Sequence, residues 1–226
     1  YIGQQNKERA NESARQVLFI ITLISIIVSA ICLGFKKPLL RLIFGSVEAD
    51  VMRASEIYFF YTALSFPFIA LYDAAASIFR AQDNTKGPMT ISMISNIMNI
   101  VGNAIMIWGF HMGVAGAAIA TLISRIFCAL VVLIQLRRDR QPIVVRDYLK
   151  IRPDWPMIGR ILGIGIPSGV ENSMFQLGKL AIQSTVSTLG TVAIAAQAMT
   201  NILENLNGIA GIGVGVGLMT IVGQCM

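Results

Sequence analysis

The stretch that decides the fold is VLFIITLISIIVSAICLGF, residues 17–35. It carries no charged side chain and lacks the polar alternation of a half-buried strand. A helix needs roughly 20 apolar residues to cross the hydrocarbon core of a bilayer, and this block supplies them. Five more blocks follow: Ile57 to Phe79, Met89 to Phe110, Val114 to Leu136, about Ile158 to Leu189, and about Val192 to Val222. The last two exceed the minimum length, so they tilt, bend or extend past the lipid. Pro167, within Gly163-Ile164-Gly165-Ile166-Pro167, predicts a kink in the fifth block. Lipid offers no partner to a free backbone N–H, so these spans are read as helices. The expected fold is therefore all-α, a polytopic membrane protein with about six transmembrane helices.

Composition agrees. The 226 residues are 55% hydrophobic and 13% charged, with a mean hydropathy of +0.68. Soluble domains carry roughly 25% charged residues, about twice this share. The net charge of +6 does not form a basic stripe for nucleic acid, so no nucleic-acid partner is expected. The basic residues sit in the connections instead. Residues 4–16, 80–88 and 137–160 hold Lys7, Arg9, Arg15, Arg80, Lys86, Arg137, Arg138, Arg140, Arg146, Lys150, Arg152 and Arg160. The alternate connections hold only Lys36, Lys37, Arg41 and Arg53. That asymmetry assigns the first set to the cytoplasm and the chain to the cell membrane, a bacterial inner membrane in this reading. Lys36 through Glu56, outside, is expected to form a short amphipathic surface helix. Residues 137–160, broken by Pro142, Pro153 and Pro156, read as a linker between two bundles. Residues 1–136 then belong to one bundle and 161–226 open the next.

Tyr1 at one end and Gly223-Gln224-Cys225-Met226 at the other do not look like natural termini, so a longer protein is expected. Gly3-Gln4 and Gly223-Gln224 stand six spans apart at the feet of helices, as a six-helix unit repeated in parallel requires. Cys32, Cys128 and Cys225 have no ligand spacing and read as small buried hydrophobes.

Charged groups inside a span cost roughly 2.5–3.5 kcal/mol each, so they face a bundle interior and are the first candidates for function. Glu171 leads, about 18 Å into the fifth span. A carboxyl at that depth can take up a proton or sodium on one side and release it on the other. The structural alternative is a carboxylic acid tying two helices together. Lys179 and Glu204 stand at similar depths on either side of the turn near Gly190, which predicts that they pair and leave Glu171 without a cation. Polar stripes complete the set: Ser92, Asn96, Asn99 and Asn103 in the third span; Asn172, Gln176, Lys179 and Gln183 in the fifth; Gln197, Asn201 and Glu204 in the sixth. Each stripe keeps to one helical face. Any one of them could be interhelical glue; the three together point to a shared cavity. Arg125, in the fourth span, needs a carboxylate or carbonyl partner. Asp73 reads as structural or interfacial, His111 as a surface residue of an outer turn, and Met174 and Phe175 as adaptable lining. No Walker sequence, clustered metal ligands or nucleophile elbow is present, so no soluble-enzyme site is expected.

Several segments in order carry a family resemblance: Arg80-Ala81-Gln82-Asp83-Asn84-Thr85-Lys86-Gly87-Pro88-Met89, Asn96 to Asn99, Gly113-Val114-Ala115-Gly116-Ala117-Ala118-Ile119-Ala120-Thr121, Gly165-Ile166-Pro167 with Glu171, Leu189-Gly190-Thr191 with Ala195-Ala196-Gln197, and Gly213-Val214-Gly215-Val216-Gly217 before Gly223-Gln224. Together they resemble MATE (multidrug and toxic compound extrusion) transporters. The resemblance implies twelve helices in two bundles, of which this chain runs from the foot of helix two through helix eight. It implies a secondary antiporter, monomeric when full length, that exports organic cations, drugs or metabolites in exchange for protons or sodium, with no other cofactor. Glu171 matches the acid that some members carry in helix seven for coupling. The first loop departs from the usual Gly-Asp by reading Gln82-Asp83-Asn84, and Lys179 within helix seven is a second departure. The competing reading is a lipid-linked sugar flippase of the same architecture. It calls for a lateral groove and a basic cavity, to which only Lys179 and Arg125 contribute. A membrane-embedded enzyme would need clustered intramembrane His or Asp, and a passive channel a continuous pore.

Overall fold

The computed structural model describes residues 7–44, 49–82, 84–137 and 154–225. Among these there are helices and turns and no strand. Helix α1 covers Lys7–Gly34, α2 Lys36–Phe44 and α3 Ala49–Ala81. Helix α4, Lys86–Ala104, ends in a π-helical turn at Ile105–Gly109. Helices α5, Gly113–Leu136, α6, Trp155–Ser187, and α7, Thr191–Cys225, follow. α1, α3, α4 with its π turn, and α5 are each long and apolar enough to span a membrane. α6 and α7 have the length, 33 and 35 residues; α6 carries Arg160, Glu171 and Lys179 along it and α7 only Glu204 as a charged side chain.

Each element follows from its residues, and several differ from expectation. α2 is shorter than the surface helix read from Lys36 to Glu56, because residues from Ala49 onward already belong to α3. α3 continues through Pro67 and α6 through Pro167 without a break in helix assignment. Pro156 does not interrupt the connection before α6. It sits in the first turn of that helix, where a missing N–H costs nothing, while the Asp154 side chain accepts from Met157 N at 3.4 Å. Most of the expected linker, residues 138–153, lies outside the described residues, as do Gly3 and Gln4. In the loop before α4, the Asn84 side chain accepts from Gly87 N at 3.2 Å and Asn84 N donates to Phe79 O at 3.0 Å, which turns the chain back.

α1, α3, α4 and α5 pack against one another. Their densest apolar core gathers Leu18, Ala75, Ile78, Phe79, Cys128, Val132 and Leu136. All of these lie toward the basic ends of their helices. Farther out, polar bonds join the helices: Ser29 Oγ donates to Ala63 O at 2.8 Å and Ser95 Oγ to Ser124 O at 3.0 Å. At the opposite end of the bundle, α5 lies directly on the π turn. A Cβ at Gly116 would sit 2.9 Å from Met106 Cβ, and one at Gly102 would sit 3.2 Å from Ala120 Cβ. Small residues let these two helices approach closely. His111 and Gly113 reverse the chain there with φ of 53° and 55°.

α6 and α7 form a hairpin turning at Gly190, whose φ of 97° suits glycine. Among the described residues, the hairpin makes few contacts with α1, α2 and α3 and none with α4. Ile158 is the one buried residue of α6, and α7 has none among its described side chains.

Candidate functional site

The candidate residues fall into two separate places rather than one shared cavity. The larger is a cavity of about 690 Å³ in the wall of the α6–α7 hairpin. It brings together Gln176, Lys179 and Gln183 from α6 with Gln197, Asn201 and Glu204 from α7, beside Met174 and Phe175. The spacing explains the convergence. Steps of three and four put each set on one face, and the tight turn at Gly190 sets the two faces opposite each other.

Lys179 Nζ lies 3.9 Å from Glu204 Oε1 and 5.1 Å from the centre of the Phe175 ring. Phe175 is one turn before Lys179, so the aliphatic stem folds back along the helix and leaves the ammonium between a ring face and a carboxylate. The pair is long, and its side chains are 45% and 61% exposed, so it is a loose contact and not a locked bridge.

Glu171 is outside this cavity. It is exposed on α6, about 12 Å along the helix from Lys179, with no hydrogen bond or ion pair to a described residue. Asn172 is also outside, its amide turned back to Ser168 O at 2.9 Å.

The α4 stripe opens elsewhere. Ser92, Asn96 and Asn99 line a cavity of about 290 Å³ between α3, α4 and α5, with Tyr72, Thr121, Ser124 and Arg125. Asn99 Nδ2 donates to Ser124 Oγ at 3.2 Å and Thr121 Oγ1 at 3.3 Å. Asn103 lies one turn beyond and donates to Asn99 Oδ1 at 3.2 Å, while its own Oδ1 is buried without a partner. Two cavities form because α4 reaches α5 and α3 but neither α6 nor α7. The partner of Arg125 is neither carboxylate nor carbonyl: Nη1 donates to Ser65 Oγ at 2.5 Å, across to α3. Sequence reading missed Ser65, Thr121 and Ser124. The last two, at offsets of minus four and minus one from Arg125, gave a faint signal on α5. Ser65 is sixty positions away, and only folding joins it to Arg125.

A third cavity, about 520 Å³ and almost wholly apolar, lies between α2 and α3 and includes Leu40, Phe44, Tyr58 and Phe59. It was not visible in the sequence.

The MatE family model matches residues 1–105. "Probable multidrug resistance protein YoeA" of Bacillus subtilis is 27% identical over 98% of this chain and 49% of its own length. "Probable multidrug resistance protein NorM" of Thermotoga maritima is 27% identical over 99% of this chain and 48% of its length. A crystal structure described as MATE in the bent conformation superposes with a TM-score of 0.82 at 20% identity, over 99% of this chain and half of that one. An inward-facing multidrug resistance MATE family transporter of the MOP superfamily gives 0.79, also at 20% identity, over 99% of this chain and 48% of that one. The chain is thus similar to MATE proteins over nearly its whole length, and its fold is that of the MATE structures on which it superposes, with four helices, among the described residues, long and apolar enough to span a membrane. It spans about half the length of the curated relatives it matches.

Proposed function

We propose that this chain supplies the central part of a cation-coupled secondary antiporter, which exports organic cations, drugs or metabolites in exchange for protons or sodium. In this reading residues 1–136 belong to an N-terminal bundle, 137–160 link the halves, and 161–226 begin a second bundle. The bare flanks of α6 and α7 are the faces against which the rest of that bundle packs. The observation that carries the reading is the α6–α7 cavity with its loose Lys179–Glu204 contact.

An organic cation entering this cavity competes with the Lys179 ammonium for two attractions at once. Phe175 offers a ring face and Glu204 a carboxylate. Met174 adds a soft apolar surface that adapts to different shapes, and the Gln and Asn stripe supplies hydrogen bonds. Glu171 is too far from Lys179 for contact, so coupling cannot be a direct exchange between those two charges. Loading Glu171 with a proton or sodium must instead favour one arrangement of the helices over the other, while the substrate favours the opposite one. Each ligand shifts the balance only by its difference in affinity between the two states.

The test uses the intact transporter in proteoliposomes, with efflux of a fluorescent organic cation driven by a proton or a sodium gradient in turn. Glu171→Gln keeps the size and hydrogen bonding of the side chain but cannot carry the charge. Gradient-driven efflux is expected to disappear while protein level and cation binding persist. Near-normal driven efflux from that variant would refute the assignment.

A further inference from the structure

The α6–α7 cavity holds two opposite charges, and a simple organic cation uses only one of them. Lys179 and Glu204 both line it, from facing helices, with Nζ 3.9 Å from Oε1. A charge-assisted N–H···O bond closes to about 2.7–2.9 Å, so the two groups are within reach of each other without being tightly bonded. Both side chains are exposed and free to swing. A cation that takes the Glu204 carboxylate and the Phe175 ring face displaces the Lys179 ammonium from both. Two like charges then share one cavity, which is costly where water is scarce. The cost falls when the incoming molecule brings a carboxylate of its own, because the ammonium gains one partner as it loses another. Amides stand beside both charges: Gln176 and Gln183 lie three before and four after Lys179, and Asn201 lies three before Glu204. An amide donates to a carboxylate and accepts from an ammonium, so these side chains serve either end of such a molecule.

We propose that Lys179 is a specificity-determining residue, through which this cavity selects zwitterions, organic cations that also carry a carboxylate, over simple cations. The consequence for export rests on the antiporter reading, whereas the selectivity itself is a property of binding. The cationic centre of the solute lies against Phe175 and Glu204, and its carboxylate against Lys179. The ion pair opens, and each of its members is paired again with one end of the solute. Met174 and a volume of about 690 Å³ admit an aromatic body between the two ends. Both charges sit on the one hairpin, so their opposition does not depend on which helices complete the bundle.

The experiment uses the intact purified transporter in detergent and two dyes that differ by one ester: a rhodamine with its free carboxylate, a zwitterion at neutral pH, and the methyl ester of the same rhodamine, a cation. Fluorescence polarisation gives the affinity for each. Saturable binding of the free acid to the wild type is expected. In Lys179→Met the affinity for the acid is expected to fall and that for the ester to rise, so that the ratio of the two drops by about tenfold or more, the size of one lost charge-assisted contact. Lys179→Arg keeps the charge and should keep the ratio. Glu204→Gln, which removes the group that meets the cationic end, should weaken both dyes alike. Comparing ratios between variants cancels the partition of either dye into micelles, and a merely structural lysine would move both affinities together. An unchanged ratio in Lys179→Met would overturn the proposal, as would a wild type that binds no free acid. Efflux of the two dyes from proteoliposomes under a proton or sodium gradient is measured alongside. Selective binding with no driven efflux of either dye would support the role of Lys179 and refute the antiporter reading, so the two fail separately.

Discussion

Replacing Gly116 with Ala separates intrinsic helix preference from close packing, because the two have opposite signs there. Gly to Ala inside a helix stabilises by about 1 kcal/mol through backbone entropy. The added methyl would lie 2.9 Å from Met106 Cβ and 3.1 Å from both Met106 C and O. Carbon atoms rest at about 3.5–4.0 Å, so the contact is short by roughly 0.5–1 Å. Two of the three opposing atoms are backbone, held by the Phe110 N–Ile105 O and Met112 N–Met106 O bonds of 3.1 Å, so they cannot swing away. Overpacking of this kind costs about 1–3 kcal/mol, which leaves a net loss of about 1 kcal/mol after the helix gain. Gly102→Ala, 3.2 Å from the Ala120 methyl, should be near neutral, and Gly109→Ala, with its nearest atom at 3.9 Å, should lose nothing. The assay is thermal unfolding in detergent at one fixed heating rate, since such unfolding is commonly irreversible. Fluorescence of Trp108, within the π turn, reports the local change. The midpoints should rise in the order Gly116→Ala, Gly102→Ala, Gly109→Ala. A Gly116→Ala protein that melts at or above the wild type would show that α5 does not rest on that turn.

Two further outcomes follow from single contacts. Ser65→Ala removes the hydrogen bond that the half-buried Arg125 Nη1 donates across to α3 and should cost about 1 kcal/mol, with most of that loss absent when Arg125 is already Met; thermal midpoints of the two single variants and the double variant measure this coupling. Lys179→Met should change stability by less than about 1 kcal/mol, because the ion pair is long and half exposed, yet it should lower the KM for organic-cation efflux by freeing Glu204; a stable variant with unaltered KM would deny the pair a place in substrate binding.

Much of this protein was legible before folding. The charge-free run from Val17 to Phe35 needs lipid around it whatever its neighbours do. The convergence of Gln176, Lys179 and Gln183 with Gln197, Asn201 and Glu204 was also legible, because it depends on helical period and one short turn. Local rules reach that far. They failed where a residue plays a part set by its immediate turn: Pro156 reads as a breaker and is a helix starter, since its effect depends on whether Asp154 caps the N–H groups that follow.

Periodicity decided which face of each helix is polar, and hydropathy decided that the helices lie in a membrane. Neither states which helices are neighbours, because a stripe has the same spacing whatever it faces. Only the tertiary packing divided the polar residues between two cavities, set Ser65 of α3 against Arg125 of α5, and left Asn172 outside the pocket it was expected to line. Those contacts join positions far apart in the chain, and their partners are chosen by how closely small residues such as Gly116 and Gly102 let two backbones approach.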